Sequence, residues 1–265
     1  MDIATARSKR LFPTNTQPVP MSRWLFSALG TTVGSKYVVA LTGLALTAFV
    51  IVHMAGNLLI FRGRDALNSY ALWLKDRGGL LWAARLGLLS LFVLHVWLGI
   101  RLTLRNRAAR PTRYAYEDTV QASIASRTMI WTGLVILAFV IFHLMHYTFG
   151  LVAATAPNGV NYLDLEQSLS QTSPHDPGQR HDVYAMTVYG FRNVPVAIAY
   201  IVAQLFLGLH LSHGVASTFQ SMGWNSPRWW RVIRFIGLAI ALPVVIGNIA
   251  MPLAVMTGAI GGDVK

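Results

Sequence analysis

The 265 residues contain no cysteine, so this chain forms no disulfide and supplies no thiolate to an iron–sulfur cluster or a haem. Carboxylates are nearly as scarce: ten Asp and Glu stand against 22 Lys and Arg, and charged residues make up only 12% of the chain. None of the ten carboxylates lies in the long apolar runs. Zinc and copper centres usually draw on carboxylate or thiolate ligands, so such a centre inside those runs is disfavoured. So little charge, with 54% hydrophobic residues, moves the chain out of the soluble class and into the membrane. The net charge of +12 is spread over connecting segments instead of one face, so it carries topology and points to no nucleic acid partner.

What is present is five apolar runs, each long enough for the roughly 20 residues that a helix needs to cross a bilayer core. They lie near 37–61, 80–104, 128–151, 191–218 and 232–257. The expected fold is an all-α membrane protein with five transmembrane helices, of which the first four form a bundle. Residues 1–36 make an N-terminal segment in which Trp24 to Leu29 suits a short interfacial helix. Residues 37–257 make the membrane domain and 258–265 a short tail. Arg7, Lys9 and Arg10 precede an apolar stretch, but Pro13, Pro18 and Pro20 interrupt it, so no cleaved leader is expected. Between the first two runs, DALNSYALWL repeats Ala66, Tyr70 and Trp73 at helical spacing, which predicts a surface helix. Ala154 to Tyr189 has no clear periodicity and reads as a loop or small cap.

Orientation follows from the basic residues. Fourteen of them, including Arg7, Lys36, Arg101, Arg127 and Arg228, fall on the side of the N-terminus. The opposite side has eight, together with seven of the ten carboxylates. The N-terminus is expected on the cytoplasmic side and the C-terminus outside.

The most informative stretch is Thr42 to His53, TGLALTAFVIVH, which returns ninety residues later as Thr132 to His143, TGLVILAFVIFH, with eight of twelve positions identical. A histidine inside a membrane costs free energy unless it has a partner, so it marks a candidate functional site. Each of the first four runs has at least one: His53; His95; His143 with His146; His210 with His213. The fifth has none. At about 1.5 Å of rise per residue and with alternating directions, His53 and His143 fall toward the outer side and His95 and His210 toward the inner side. Two pairs at two depths, first run with third and second with fourth, is what a four-helix bundle holding two stacked bis-histidine haems requires. The plainer reading of any one such histidine is a hydrogen-bonded packing residue. Four at two matched depths favour haem.

Gly43 and Gly133, ten residues before His53 and His143, fall near the same helix face and suit the close approach of a porphyrin edge or of another helix. His146 and His213 each follow a candidate ligand by three residues. A hydrogen-bonding role toward a propionate or quinone suits them, though spacing alone equally permits each to be the ligand itself. His175 and His181 read as solvated. Lys36, Arg101 and Arg127 at the inner ends of the runs suit haem propionates or plain interfacial anchoring.

The residues SKYVVALTG at the first run, His53 within HMAGN, the FHLMH run and His210 within LHLSHG followed by FQSMGW resemble the five-helix, di-haem cytochrome b anchor of succinate dehydrogenases and fumarate reductases. The likeness runs from about Ser35 to Gly223. It implies two haem b groups, with His53 and His143 as axial ligands of the outer one and His95 and His210 of the inner one, and so selects His143 over His146 and His210 over His213. It further implies a flavoprotein and an iron–sulfur subunit on the cytoplasmic face, a cell inner-membrane location, and electron relay to a membrane quinone, menaquinone above others. No succinate site is implied in this chain, and an assembly of several copies is compatible with it. The departure concerns the quinone site, where some relatives use a buried carboxylate. The nearest polar residues here are Asn57, Asn68, Tyr70, His146 and Tyr147 at the outer side and Ser27, Ser35, Lys36 and His213 at the inner side. The competing readings are a di-haem cytochrome b of a hydrogenase or formate dehydrogenase, and a proton-coupled transporter with a histidine relay. Against the transporter, the repeated runs point in the same direction, whereas transporter repeats are usually inverted.

Overall fold

A computed structural model describes residues 30–109, 123–168, 178–224 and 226–264. The helix expected over Trp24 to Leu29, together with Ser27 and His175, lies outside the described residues. The chain is an all-α membrane protein, with five helices among the described residues long and apolar enough to cross a bilayer. In chain order the helices are α1 (Thr32–Asn57), α2 (Arg64–Lys75), α3 (Gly79–Ala108), the single turn α4 (Ile124–Arg127), α5 (Met129–His143), α6 (Val183–Arg192), α7 (Val194–Ser221) and α8 (Pro227–Met256). A 3-10 stretch over Leu58–Arg62 prolongs α1, and a π-helical turn over Leu144–Thr148 prolongs α5.

The four histidine-bearing helices form a ring. Helix α1 packs on α3 and α7, α5 packs on α3 and α7, and α8 lies outside against α7. Helices α1 and α5 therefore face each other across one diagonal, and α3 and α7 across the other. The α7–α8 contact is close because Gly208 meets Val245, and Gly237 lies directly on the Ser212 carbonyl. A β-carbon on Gly237 would collide with backbone, which cannot give way.

Within the stretch from Ala154 to Tyr189, the described residues 154–168 and 178–189 form a structured cap. It contains a 3-10 turn over Tyr162–Asp164, a two-stranded antiparallel ribbon of β1 (Glu166–Ser168) and β2 (Gln179–His181), and then α6. The largest buried cluster sits here, joining Ile60, Leu67, Tyr162, Val188, Phe191 and Tyr200 to Met251 of α8. The tail after α8 folds back into the cap: Arg192 donates to the carbonyls of Gly261 and Val264, and Gly261 N–H donates to the Tyr184 hydroxyl at 3.2 Å.

One carboxylate fastens the cap to α2, the helix between the first two spans. Asp182, 1% exposed, accepts from Arg64 Nε at 2.8 Å and pairs with Arg64 Nη2. It also accepts from Asn68 Nδ2 at 2.8 Å and, as N-cap of α6, from Ala185 N–H at 3.0 Å. Burial pushes its pKa up, but the bonds from Arg64, Ala185 and Asn68 outweigh that and hold the carboxyl below the ordinary carboxylate range. The predicted surface helix is present as α2, with a different buried face. Leu67 and Asn68 are buried while Trp73 is exposed, because the Asn68 amide is needed by Asp182 and by Tyr184 N–H. His181, expected to be solvated, is partly covered and held by the Leu165 carbonyl at 3.0 Å.

Candidate functional site: two histidine pairs across the bundle

The two diagonals bring together the histidines in the combination expected from depth. His53 of α1 faces His143 of α5 with ring centres 6.0 Å apart and planes at 87°. His95 of α3 faces His210 of α7 at 6.4 Å and 71°. Two imidazoles in line on opposite sides of one metal ion, with bonds of about 2 Å, would have ring centres about 6.2 Å apart. Both pairs stand at that separation. Edge-to-face aromatic packing also spans this range, so the distance alone does not single out a metal. The hydrogen bonding of the rings says more.

At the His95–His210 level the two rings are held alike. His95 Nδ1 lies 3.1 Å from Thr42 Oγ1 and 3.2 Å from the Val39 carbonyl, and His210 Nδ1 lies 3.2 Å from Thr132 Oγ1. Each Thr hydroxyl donates to its own helix, Thr42 to the Val38 carbonyl at 2.7 Å and Thr132 to the Met129 carbonyl at 3.0 Å. The Thr oxygens are then acceptors, which puts the proton on Nδ1 of each histidine and leaves Nε2 with its lone pair. Neutral imidazole with a free Nε2 is the form that binds a metal. The glycines complete the setting. A β-carbon on Gly43 would lie 2.9 Å from His95 Cε1, and one on Gly133 would lie 3.4 Å from His210 Cε1. Sequence reasoning assigned these glycines to a porphyrin edge or another helix; here each lies against a histidine of the neighbouring helix.

The level near the cap is built differently. His143 Nδ1 lies 3.2 Å from the Tyr200 hydroxyl, and His146 Nδ1 lies 3.0 Å from the same oxygen. His53 uses its Nε2 to accept from Asn57 Nδ2 at 3.1 Å, so that amide must turn away before Nε2 can take a ligand. Because Gly43 touches His95 and precedes His53 by ten residues, the levels are about 15 Å apart along α1. The same count from Gly133 to His143 gives the same spacing along α5.

The two accessory histidines part company. His146 is 0% exposed, brought inward by the π-helical turn whose bond runs from Phe149 N–H to the Leu144 carbonyl at 2.9 Å. Its ring stacks on Tyr147 at 3.9 Å. The Ala153 backbone carbonyl is the hydrogen-bonding neighbour of the imidazole, but among the described residues neither His146 Nε2 nor the Tyr147 hydroxyl has a partner at full hydrogen-bond geometry. Helix α6 closes over them at Gly190, where a β-carbon would collide with the Tyr147 hydroxyl and stand 3.0 Å from His146 Cε1. His213 is half-buried one turn beyond His210.

The other polar candidates are mostly engaged. Asn68 belongs to the Asp182 cluster, Asn57 to His53, and the Ser35 hydroxyl donates to the Thr31 carbonyl. Tyr70 packs under Gly56 and stacks on Trp73. Of the expected propionate partners, Arg101 lies over the Trp97 ring, while Lys36 and Arg127 are exposed at the ends of α1 and α4. None of the three is a hydrogen-bond partner of the facing histidines. At the cap end a cleft of about 340 Å³ is lined by Thr155, Tyr162, Tyr189 and Arg192 among others. Sequence reasoning passed over Tyr200, whose only signal is a hydroxyl inside an apolar run of the helix that carries His210.

Among the described residues no group of three or more His, Cys, Asp or Glu side chains is arranged to hold a metal ion. No protein-family model, curated protein or solved structure matches the chain.

Proposed function

We propose that this chain is the di-haem cytochrome b membrane anchor of a succinate:quinone oxidoreductase. The observation that carries the haem reading is the pairing of imidazoles across both diagonals of the bundle, at 6.0 and 6.4 Å, on two levels. Two axial nitrogens and no third protein ligand is the requirement of a six-coordinate haem iron. The chain has no cysteine, so attachment through thioethers is excluded, and the b type follows from the family likeness. The succinate assignment rests on the likeness of HMAGN, FHLMH and LHLSHG to that family. With it come the flavoprotein and iron–sulfur partners and menaquinone as the quinone, while the cytoplasmic N-terminus rests on the distribution of basic residues.

When bound, haem supplies one-electron relay between the two membrane faces; the protein supplies orientation and proton control. Thr42 and Thr132 hold His95 and His210 by Nδ1, which leaves Nε2 of each ring free for a ligand. Tyr200 links the Nδ1 atoms of His143 and His146 through one hydroxyl. That gives His146 a place beside the cap-side ligand, where quinone protons would be exchanged. Asn57 holds His53 until its Nε2 is taken.

The test is haem stoichiometry and a dithionite-reduced minus oxidised spectrum of the purified chain, followed by addition of succinate to membranes containing the whole complex. Two low-spin b haems per chain, reduced by succinate, are expected. No haem in a folded preparation overturns the cytochrome reading. Two haems reduced by hydrogen or formate but not by succinate would assign the chain to a different membrane oxidoreductase.

A further inference from the structure

The duplicated segment contributes more than its terminal histidine. In both copies the Thr-Gly pair that opens it meets a histidine of an adjacent helix, Thr42–Gly43 meeting His95 and Thr132–Gly133 meeting His210. A buried Thr that bonds back to its own helix is ordinary in an apolar helix, and a single Thr–His contact would carry little. Here the same two residue types meet the same ring atoms twice, at 3.1 and 3.2 Å from Nδ1 and with Cε1 over the glycine in both. At the other level nothing equivalent exists: His143 meets a tyrosine and His53 an asparagine.

We propose that Thr42 and Thr132 are positioning residues for the His95–His210 pair. Each accepts the Nδ1 proton of its imidazole, fixes the tautomer with Nε2 free, and with the following glycine sets the ring's rotation. This inference rests on the haem reading. An acceptor on Nδ1–H makes an imidazole more basic toward a metal and so favours the ferric state. Loss of that acceptor raises the reduction potential of the haem concerned. Thr42 and Thr132 act on the two ligands of one iron, so both substitutions move the same haem and leave the other in place.

The experiment uses the full membrane complex, titrated potentiometrically and examined by low-temperature EPR. His95→Ala first identifies which haem signal belongs to this pair. Thr132→Val is then expected to shift that haem's midpoint potential upward and change its low-spin g values, with haem content kept and the other midpoint unmoved. Thr42→Val should shift it in the same direction, since each ring also has one backbone carbonyl beside it, Val39 for His95 and Met129 for His210. Thr132→Ser restores the hydroxyl and should restore the wild-type potential, which a packing role for the methyl would not. Gly43→Ala, with a contact at 2.9 Å, should disturb this haem more than Gly133→Ala, with 3.4 Å. If the wild-type complex has two haems and both Val variants leave every midpoint and g value unchanged, or if they move the other haem, the positioning role is wrong while the haem reading stands. If Thr132→Val does not assemble, Thr42→Val and the Ser variant decide alone. No haem in the wild type defeats the underlying reading instead.

Discussion

The Tyr200 hydroxyl lies 3.0 Å from Nδ1 of His146, a side chain sealed from solvent, and the same oxygen reaches Nδ1 of His143 at 3.2 Å. One phenol therefore serves two imidazoles of consecutive turns, and α7 is fastened to α5 at the point where α5 changes to a π-helical turn. Removing the hydroxyl leaves both nitrogens short of a partner. Tyr200→Phe should cost about 1–3 kcal/mol, read as a lower unfolding temperature in detergent. It should also alter the spectrum of one haem only, the one lost with His143→Ala.

Ligand pairing is tested by single deletions. On the di-haem proposal, His53→Ala and His143→Ala should each remove one haem, the same one, and His95→Ala and His210→Ala the other, because each iron would depend on its own two nitrogens. Pyridine haemochrome stoichiometry with low-temperature difference spectra gives the answer. Loss of the same haem from His95→Ala and His53→Ala would break the diagonal pairing.

His146→Gln should retain both haems and slow quinone turnover, since His146 reaches His143 only through Tyr200. Loss of one haem in this variant would make His146 the ligand.

Gly190→Ala pushes a methyl into the Tyr147 hydroxyl and to 3.0 Å from the His146 ring. Overpacking of that kind costs about 1–3 kcal/mol. A thermal melt should show it, and limited proteolysis should cut the cap faster. An unchanged melt would mean that α6 shifts freely, contrary to its burial between α2 and α8.

The Asp182 cluster predicts a sign with pH. Its carboxyl is held below the ordinary range in the folded state, so the stability it adds is present above its unfolded value and lost as pH falls through the folded one. The window opens below about pH 4. Wild type should lose unfolding temperature there more steeply than Asp182→Asn. Arg64→Ala should be the harsher substitution at neutral pH, since it strips the guanidinium from a carboxylate 1% exposed, whereas Arg64 itself is 33% exposed. Unpairing a buried charge costs about 3–5 kcal/mol.

The spans were legible in the sequence because about 20 apolar residues in a row leave a helix no alternative in lipid. The observed helices agree with the expected ones to within a few residues. The histidine pairs were legible too, since counting along antiparallel helices converts sequence position into depth. The contacts of Gly43 and Gly133 were not: they depend on the vertical offset between helices, which no single run encodes. Setting the depth of Thr42–Gly43 beside that of His95 would have exposed it, as both lie toward the same end. The Asp182–Arg64–Asn68 cluster joins residues over a hundred positions apart and has no local pattern. The π-helical turn after His143 likewise left no trace in the three-residue spacing to His146, which an ordinary helix would have turned differently.

The duplicated segment has a consequence for assembly. Because α1 and α5 each hold a histidine for one level and a Thr-Gly seat for the other, clamping His95 and His210 onto a common centre also presses those rings into Thr42–Gly43 and Thr132–Gly133. That sets the height of α1 against α3 and of α5 against α7, and ten residues further on it brings His53 and His143 level. On the proposed di-haem reading, a group held between His95 and His210 would act as a gauge for the level nearer the cap, where Asn57 occupies His53 Nε2.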